Sequence, residues 1–378
     1  MTISARVEHV GSLLRPSYLR DARVAYADGE LPPAGLKAAE DRAVRDVVAM
    51  QEDVGLPVVT DGEMRRESFQ SELTAACDGF TGVSLDAWLW GAWRSDSVGD
   101  ATIERPADLA VTAPLRKRRN LAAEEFTFLR GCVSNRQPDG TTRQGKVTLP
   151  SPTLFANLWS PAASTQAYPT LDAFMADIVD VLRDEVRELV RLGCGYIQLD
   201  APHYPLLIDP QWRAFYEARG WPLERWLSYG IELDNAVIDA GRPATFGFHL
   251  CRGNQLSRWL VAGEYDSIAG PIFGGVAADR LLLEYDDERS GSFDALLQVP
   301  DDKTVVLGLV TTKTSQLETA AELEARLTLA TASIDKERLA ISPQCGFATS
   351  VQGNAITEDA ERAKLALLVQ VAGEFLAG

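Results

Sequence analysis

The chain has 378 residues, 46% of them hydrophobic, and a formal net charge of −17 at pH 7. This length supplies a large core, and the acidic balance disfavours nucleic acid or an anionic membrane surface as partner, because phosphate contacts need clustered Lys and Arg. No apolar run is long enough to predict a transmembrane helix, and the N-terminus lacks a signal-peptide pattern. The five cysteines are scattered and odd in number, which is typical of a reducing cytoplasm.

Short apolar runs alternate with amphipathic helical segments along the chain. In order, the predicted strands lie near residue 10, before Glu63, near residue 148, before Asp200, before Cys251, near Glu284, before Lys313 and before Cys345. Repeated β-α units predict a parallel sheet, and eight of them predict one (β/α)8 TIM-barrel domain over residues 1–378. A dinucleotide-binding open sheet is disfavoured, because no G-x-G-x-x-G follows the first strand.

One segment interrupts this alternation after the second predicted strand. Residues 78–114 are rich in Trp and Gly and have no helical period. We therefore expect an insertion, either a hairpin or a lid packed over the barrel. The sequence leaves open whether this segment closes the site or forms a subunit contact. It also leaves open whether the protein is a homo-oligomer.

The stretch "FGFHLCRGN" places His249 and Cys251 two residues apart at the end of a predicted strand. That spacing points both side chains to one face of the strand. Taken alone, each has an ordinary structural explanation, since a strand Cys is usually a small apolar residue. However, Glu284 and Cys345 follow later strands, and the carboxyl ends of barrel strands share one face. An imidazole, two thiolates and a carboxylate have the composition of a zinc site.

These segments also resemble the cobalamin-independent methionine synthase family. "FGFHLCRGN", "LLLEYDD" and "AISPQCGFAT" are similar to its zinc-binding segments, and "HVGSLLRP", "DGEMRRESF" and "YIQLDAPH" to its substrate-binding ones. The resemblance covers residues 8–350 apart from the Trp-rich segment and implies a single catalytic barrel with Zn²⁺. The implied zinc ligands are His249, Cys251, Glu284 and Cys345. The implied substrate-binding residues are Gly11, Ser12, Glu63 and Asp200, with Trp159 beside the second substrate.

The resemblance implies zinc-dependent transfer of an alkyl group, by default methyl, to a thiol. Zinc holds the acceptor as a thiolate, which stays nucleophilic at neutral pH. Homocysteine is the expected acceptor and methionine the product, because Glu63 and Asp200 can hold an amino-acid ammonium group. Glu284 is the ligand most easily exchanged for the incoming thiolate.

This chain differs from the family in features that bear on the identity of the alkyl donor. The chain has only the catalytic barrel, and "LGLVTTKTSQLE" lacks the protonating His that the family has after its seventh strand. A folate nitrogen leaves poorly without a proton. The donor therefore stays open among methylfolate, a methyl-corrinoid, a sulfonium compound and an epoxide. The alternative function is epoxide opening as in the epoxyalkane:coenzyme M transferases, with Lys313 or His203 as candidate proton donors.

Overall fold

The computed structural model describes residues 3–82, 90–134 and 142–376. The strands in this part of the chain are β1 (Val58–Val59), β2 (Cys77–Phe80), β3 (Gly91–Trp93), β4 (Ala101–Ile103), β5 (Val111–Lys117), β6 (Gln144–Pro150), β7 (Tyr196–Asp200), β8 (Thr245–Leu250), β9 (Arg280–Glu284), β10 (Thr304–Val310) and β11 (Leu339–Pro343). Seven of them form one parallel sheet in the order β1-β6-β7-β8-β9-β10-β11. Its strands are buried along their length because helices cover the outer face, as the near-continuous apolar runs predict.

The α-helices of the described residues are Ser17–Ala27, Pro33–Asp53, Ser71–Ala76, Leu121–Cys132, Pro161–Ser164, Leu171–Arg191, His203–Leu206, Pro210–Glu217, Leu223–Arg225, Ile231–Ala240, Asp266–Gly275, Ala320–Ala330 and Glu358–Val371. Local sequence explains several of their starts. The Thr170 and Thr357 side chains accept from backbone N–H groups in the first turn, and Thr319 forms a capping box with Glu322.

The predicted strand near residue 10 forms a bridge instead of a regular strand. Val7 pairs with Ile341 of β11 in parallel, and the Leu13 backbone N–H donates to the Gly62 carbonyl beyond β1 at 3.1 Å. The segment thus lies between the two edges of the sheet. The expected closed eight-stranded barrel is a curled, seven-stranded parallel half-barrel whose edges are joined by this irregular segment.

The Trp- and Gly-rich segment forms two small antiparallel pairs. Strand β2 pairs with β5, and β3 pairs with β4. The Arg94–Trp259 bridge ties the β3–β4 pair to the loop after β8. A hairpin was expected here and is present, while residues 83–89 lie outside the described residues and the segment's status as an insertion stays a prediction.

A buried ionic network fills the interior of the half-barrel. Glu8 lies 2.8 Å from Lys146 Nζ and 2.9 Å from Arg280 Nη2, and it accepts a hydrogen bond from the Tyr196 hydroxyl. Lys146 also donates to Gln198 Oε1 at 2.8 Å. These side chains come from strands that are distant in sequence, so the network locks the N-terminal segment onto β6, β7 and β9.

A helix that crosses a bilayer must be both long and apolar, and the helices of the described residues do not meet both requirements.

Candidate metal centre and substrate pocket

The ends of β8 and β11 bring together His249, Cys251 and Cys345. One ligand atom from each lies within 4.8 Å of the others, and the three residues are buried. The two Sγ atoms are 3.2 Å apart. His249 Nδ1 lies 3.3 Å from the Leu282 carbonyl oxygen, and its Nε2 has no hydrogen-bond partner among the described residues.

This group fits a zinc ion. A backbone carbonyl on one ring nitrogen with the other nitrogen free is the usual arrangement of a metal-binding histidine. With Zn–S bonds of about 2.3 Å, tetrahedral thiolates lie about 3.8 Å apart, so Cys251 and Cys345 need to separate only slightly. The neighbouring Cys251 thiol, with His249 adding to the effect, lowers the pKa of Cys345 well below its usual value. The chain itself therefore favours a thiolate here.

Glu284, at the end of β9, is the fourth predicted ligand and lies outside this three-residue group. Its Oε2 accepts from the Arg252 backbone N–H at 2.7 Å. Its Oε1 lies 3.5 Å from Lys313 Nζ and 3.8 Å from Arg289 Nη2. The carboxylate is fully buried between two cations, and its role as a ligand stays a prediction.

A pocket opens directly from the metal group. Its polar lining consists of Ser12, Glu63, Gln70, Asn157, Asp200, His203, Asn254 and Thr349, and its aromatic lining of Phe69, Trp90, Trp93 and Trp212. His249, Cys251 and Cys345 form part of the same wall. Three of the predicted substrate-binding residues thus share one cavity with the three clustered metal-binding residues at the carboxyl ends of the strands.

Glu63 is held in a strained conformation that faces this pocket. Its φ of 58° lies in the left-handed region, which non-glycine residues rarely adopt. Arg15 Nη2 donates to the Glu63 carbonyl at 2.7 Å, and the Thr148 hydroxyl donates to Oε1 at 2.8 Å. The second oxygen, Oε2, is buried without a hydrogen-bond partner among the described residues. That oxygen is free to accept a substrate's N–H.

Asp200, at the end of β7, is the second carboxylate in the pocket. The Gln198 amide donates to its Oδ1 at 2.7 Å. Burial is the largest influence on its pKa and, with Glu63 nearby, raises the pKa to about 7. A bound ammonium group would favour the ionised form.

Gly11 lies against Glu63, and Ser12 lies against the loop that carries Cys345. A Cβ on Gly11 would sit 2.6 Å from Thr148 Cγ2 and 3.1 Å from Glu63 Oε1. A Cβ on Gly346 would sit 2.0 Å from Ser12 Oγ, which places that hydroxyl beside the Cys345 loop.

We therefore expect Gly11→Ala to displace the Thr148–Glu63 pair. Overpacking of this kind costs about 1–3 kcal/mol of stability, and the shifted carboxylate should raise the KM for the acceptor. Thermal unfolding and steady-state kinetics measure the two effects. Gly131→Ala is the control, because a Cβ there meets nothing within 4 Å. Equal behaviour of the two variants would contradict the assignment.

Of three further residues predicted at the site, two lie outside the pocket lining and one belongs to it. Trp159 is buried in the core, where its indole N–H donates to the Tyr168 carbonyl at 3.1 Å, and it does not line the pocket. Lys313 points to Glu284 and Asp286 and also lies outside the lining. His203 does line the pocket; its Nε2 is 2.8 Å from Thr153 Oγ1, and burial lowers its pKa to about 3.

Sequence reasoning missed several lining residues. Trp212 and Asn157 belong to none of the motifs quoted above, and nothing in their spacing marks them as site residues. Phe69 ends the segment "DGEMRRESF" but was not singled out within it. Trp90 and Trp93 had one usable signal, because they belong to the Trp-rich segment that was expected to pack over the barrel.

Comparison with known proteins agrees with this site. Residues 162–374 match the family model described as the catalytic domain of cobalamin-independent synthase. The chain belongs to this family, as its half-barrel fold and His-Cys-Cys group already indicate.

Particular relatives cover nearly the whole chain. The uncharacterized protein YxjH of Bacillus subtilis is 31% identical over 98% of this chain and 94% of its own length. A methionine synthase of Pyrococcus abyssi is 25% identical over 89% of this chain and 85% of its own. A crystal structure from Listeria monocytogenes, provisionally named a vitamin-B12 independent methionine synthase, is 26% identical with a TM-score of 0.72 and covers 99% of both chains.

Proposed function

We propose that this protein is a zinc-dependent methyltransferase that methylates the thiol of homocysteine to give methionine. The observation that carries the proposal is the convergence of a buried His-Cys-Cys group with two carboxylates in one pocket. The names of the methionine synthase relatives support the same reaction.

Bound zinc would supply a Lewis-acid centre that keeps the acceptor thiol ionised. His249, Cys251 and Cys345 would hold it, with Glu284 as the exchangeable fourth ligand. The fit rests on the free Nε2 of His249 and on the two adjacent sulfurs.

The chain's own residues orient the acceptor. The free oxygen of Glu63 and the carboxylate of Asp200 would accept from the substrate ammonium group. The Ser12 hydroxyl and the backbone at Gly11 would hold its carboxylate. The four aromatic side chains of the lining would exclude water from the thiolate. A lower local dielectric strengthens each of these electrostatic contacts.

The same carboxylates disfavour coenzyme M as the acceptor. Its sulfonate would face Glu63 and Asp200 without a compensating Lys or Arg among the described lining residues. The pocket charge therefore disfavours epoxide opening with coenzyme M.

Metal analysis and a thiol-methylation assay on the full chain test the proposal. We expect about one zinc per chain and methionine formation from homocysteine with at least one methyl donor. Coenzyme M should be methylated far more slowly than homocysteine. Absence of zinc, or methylation of coenzyme M alone, would contradict the proposal.

A further inference from the structure

The charge of the pocket restricts the methyl donor. Glu63 and Asp200 carry its carboxylates. Arg66 Nη1 lies 3.7 Å from Glu63 Oε1, but neither Arg66 nor any other Lys or Arg belongs to the described lining residues. Residues 83–89, which precede Trp90, contain neither type in the sequence. An amino-acid acceptor brings one ammonium and one carboxylate, so it leaves the pocket negative. An anionic donor would meet no cation here, whereas a cationic donor would be attracted.

The aromatic side chains of the lining are called the aromatic wall here. They are Phe69, Trp90, Trp93 and Trp212, and the Trp90 and Trp212 ring centroids are 4.4 Å apart. Aromatic rings attract sulfonium and quaternary ammonium groups through their quadrupole, and more strongly where water is excluded.

One cationic side chain, that of Arg105, lies near this wall. The Arg105 guanidinium is 5.9 Å from the Trp90 ring centroid. It donates to the Leu109 and Asn157 carbonyl oxygens and does not line the pocket. Arg105 therefore contacts the wall without adding a Lys or Arg side chain to the described lining.

Neither of the two predicted proton donors is placed to protonate a basic leaving group. Lys313 is directed at Glu284 and Asp286. His203 is buried against Thr153, and its pKa of about 3 leaves it neutral at physiological pH. An amine anion or alkoxide needs a proton as it leaves, but a sulfide or a tertiary amine leaves neutral without one.

We propose, resting on the methyltransferase function above, that the donor is a small methyl onium compound, a sulfonium or a quaternary methylammonium, bound between the aromatic wall and the pocket carboxylates. A lone pair of the acceptor thiolate forms the new S–CH3 bond. The bond from the methyl carbon to the onium centre breaks, and its electron pair returns to that centre. The products are a thioether and a neutral sulfide or amine, so no proton, oxidant or further reactant is required.

Binding to the zinc-loaded full chain tests the site independently of turnover. Choline and 3,3-dimethylbutan-1-ol have nearly the same shape and differ in charge. Isothermal titration should show choline binding about tenfold more tightly than the neutral alcohol. Equal affinities would overturn the proposal.

Variants of one wall residue identify the source of the preference. Trp90 is only half-buried, so its replacement should leave the fold intact. Trp90→Leu should reduce the preference for choline several-fold, while Trp90→Phe retains a ring and should keep most of it. Trp259→Leu is the control, because Trp259 is also partly exposed and does not line the pocket. A preference unchanged in Trp90→Leu would count against the aromatic wall as its cause.

Turnover separates this proposal from the function on which it rests. With homocysteine, trimethylsulfonium should release dimethyl sulfide, measured by gas chromatography, faster than choline releases dimethylethanolamine. Methionine formed from methyltetrahydrofolate or methylcobalamin, without binding or reaction of either onium compound, would overturn the donor class and leave the methyltransferase function standing. Selective choline binding without methylation of homocysteine by any donor would support the onium site and overturn the acceptor assignment.

Discussion

Replacement of Cys251 by serine is expected to remove most of the bound zinc and to abolish methyl transfer. The Cys251 sulfur is buried 3.2 Å from Cys345 Sγ, beside the free Nε2 of His249. A neutral hydroxyl cannot replace a thiolate as a ligand, so two of the three clustered donors would remain. Metal analysis after dialysis against a chelator measures the first effect, and methionine formation measures the second.

Cys132→Ser is the matched control for this variant. Cys132 is a free, partly exposed cysteine at the end of helix Leu121–Cys132 and is not part of the clustered group. It should retain zinc and activity at the level of the natural sequence. Equal zinc content in Cys251→Ser and Cys132→Ser would show that the metal, if any, binds elsewhere.

Glu8→Gln is expected to have the largest effect on stability. The substitution leaves Lys146 and Arg280 buried without their shared carboxylate. Removing one partner of a buried ion pair costs about 3–5 kcal/mol, because the remaining charge is uncompensated. Urea unfolding gives the free-energy difference. Asp180→Asn, which breaks the exposed pair with Arg183, should cause little change.

The same network predicts how stability depends on pH. Burial alone would raise the pKa of Glu8, but Lys146 and Arg280 outweigh it and lower the pKa from 4.5 to about 2. Burial lowers the pKa of Lys146 despite the attraction of Glu8. In acid the group of this pair that changes its charge is the Glu8 carboxylate, which takes up a proton. A lowered carboxylate pKa stabilises the fold above pH 4.5, and this contribution is lost as the pH falls towards 2. Glu8→Gln should flatten the stability curve over that range; an unchanged slope would contradict the assignment.

The sequence by itself determined the strands and most of the metal group. Apolar runs identify β6 to β11 because buried parallel strands have apolar side chains on both faces. The two-residue spacing of His249 and Cys251 fixed a common face, since side chains alternate along a strand. The sulfur of Cys345 could be added because the carboxyl ends of parallel strands meet at one edge.

Only the tertiary structure decided how the remaining side chains are placed. Spacing along the chain does not specify the direction of a side chain relative to a distant strand or loop. Glu284 was expected with the other ligands. In the structure it lies outside the His-Cys-Cys group, and its carboxylate contacts Arg252, Arg289 and Lys313. Trp159 was expected at the pocket but packs in the core, because its indole N–H finds the Tyr168 carbonyl there.

The aromatic wall is the clearest case of what long-range packing decides. Trp90 comes from the segment after the second predicted strand, and Trp212 from helix Pro210–Glu217, more than a hundred residues later. Their rings meet because both segments fold over the carboxyl ends of the same strands. The sequence therefore determined which metal-binding chemistry the chain carries, and the packing of these segments decided the charge and shape of the pocket in front of it.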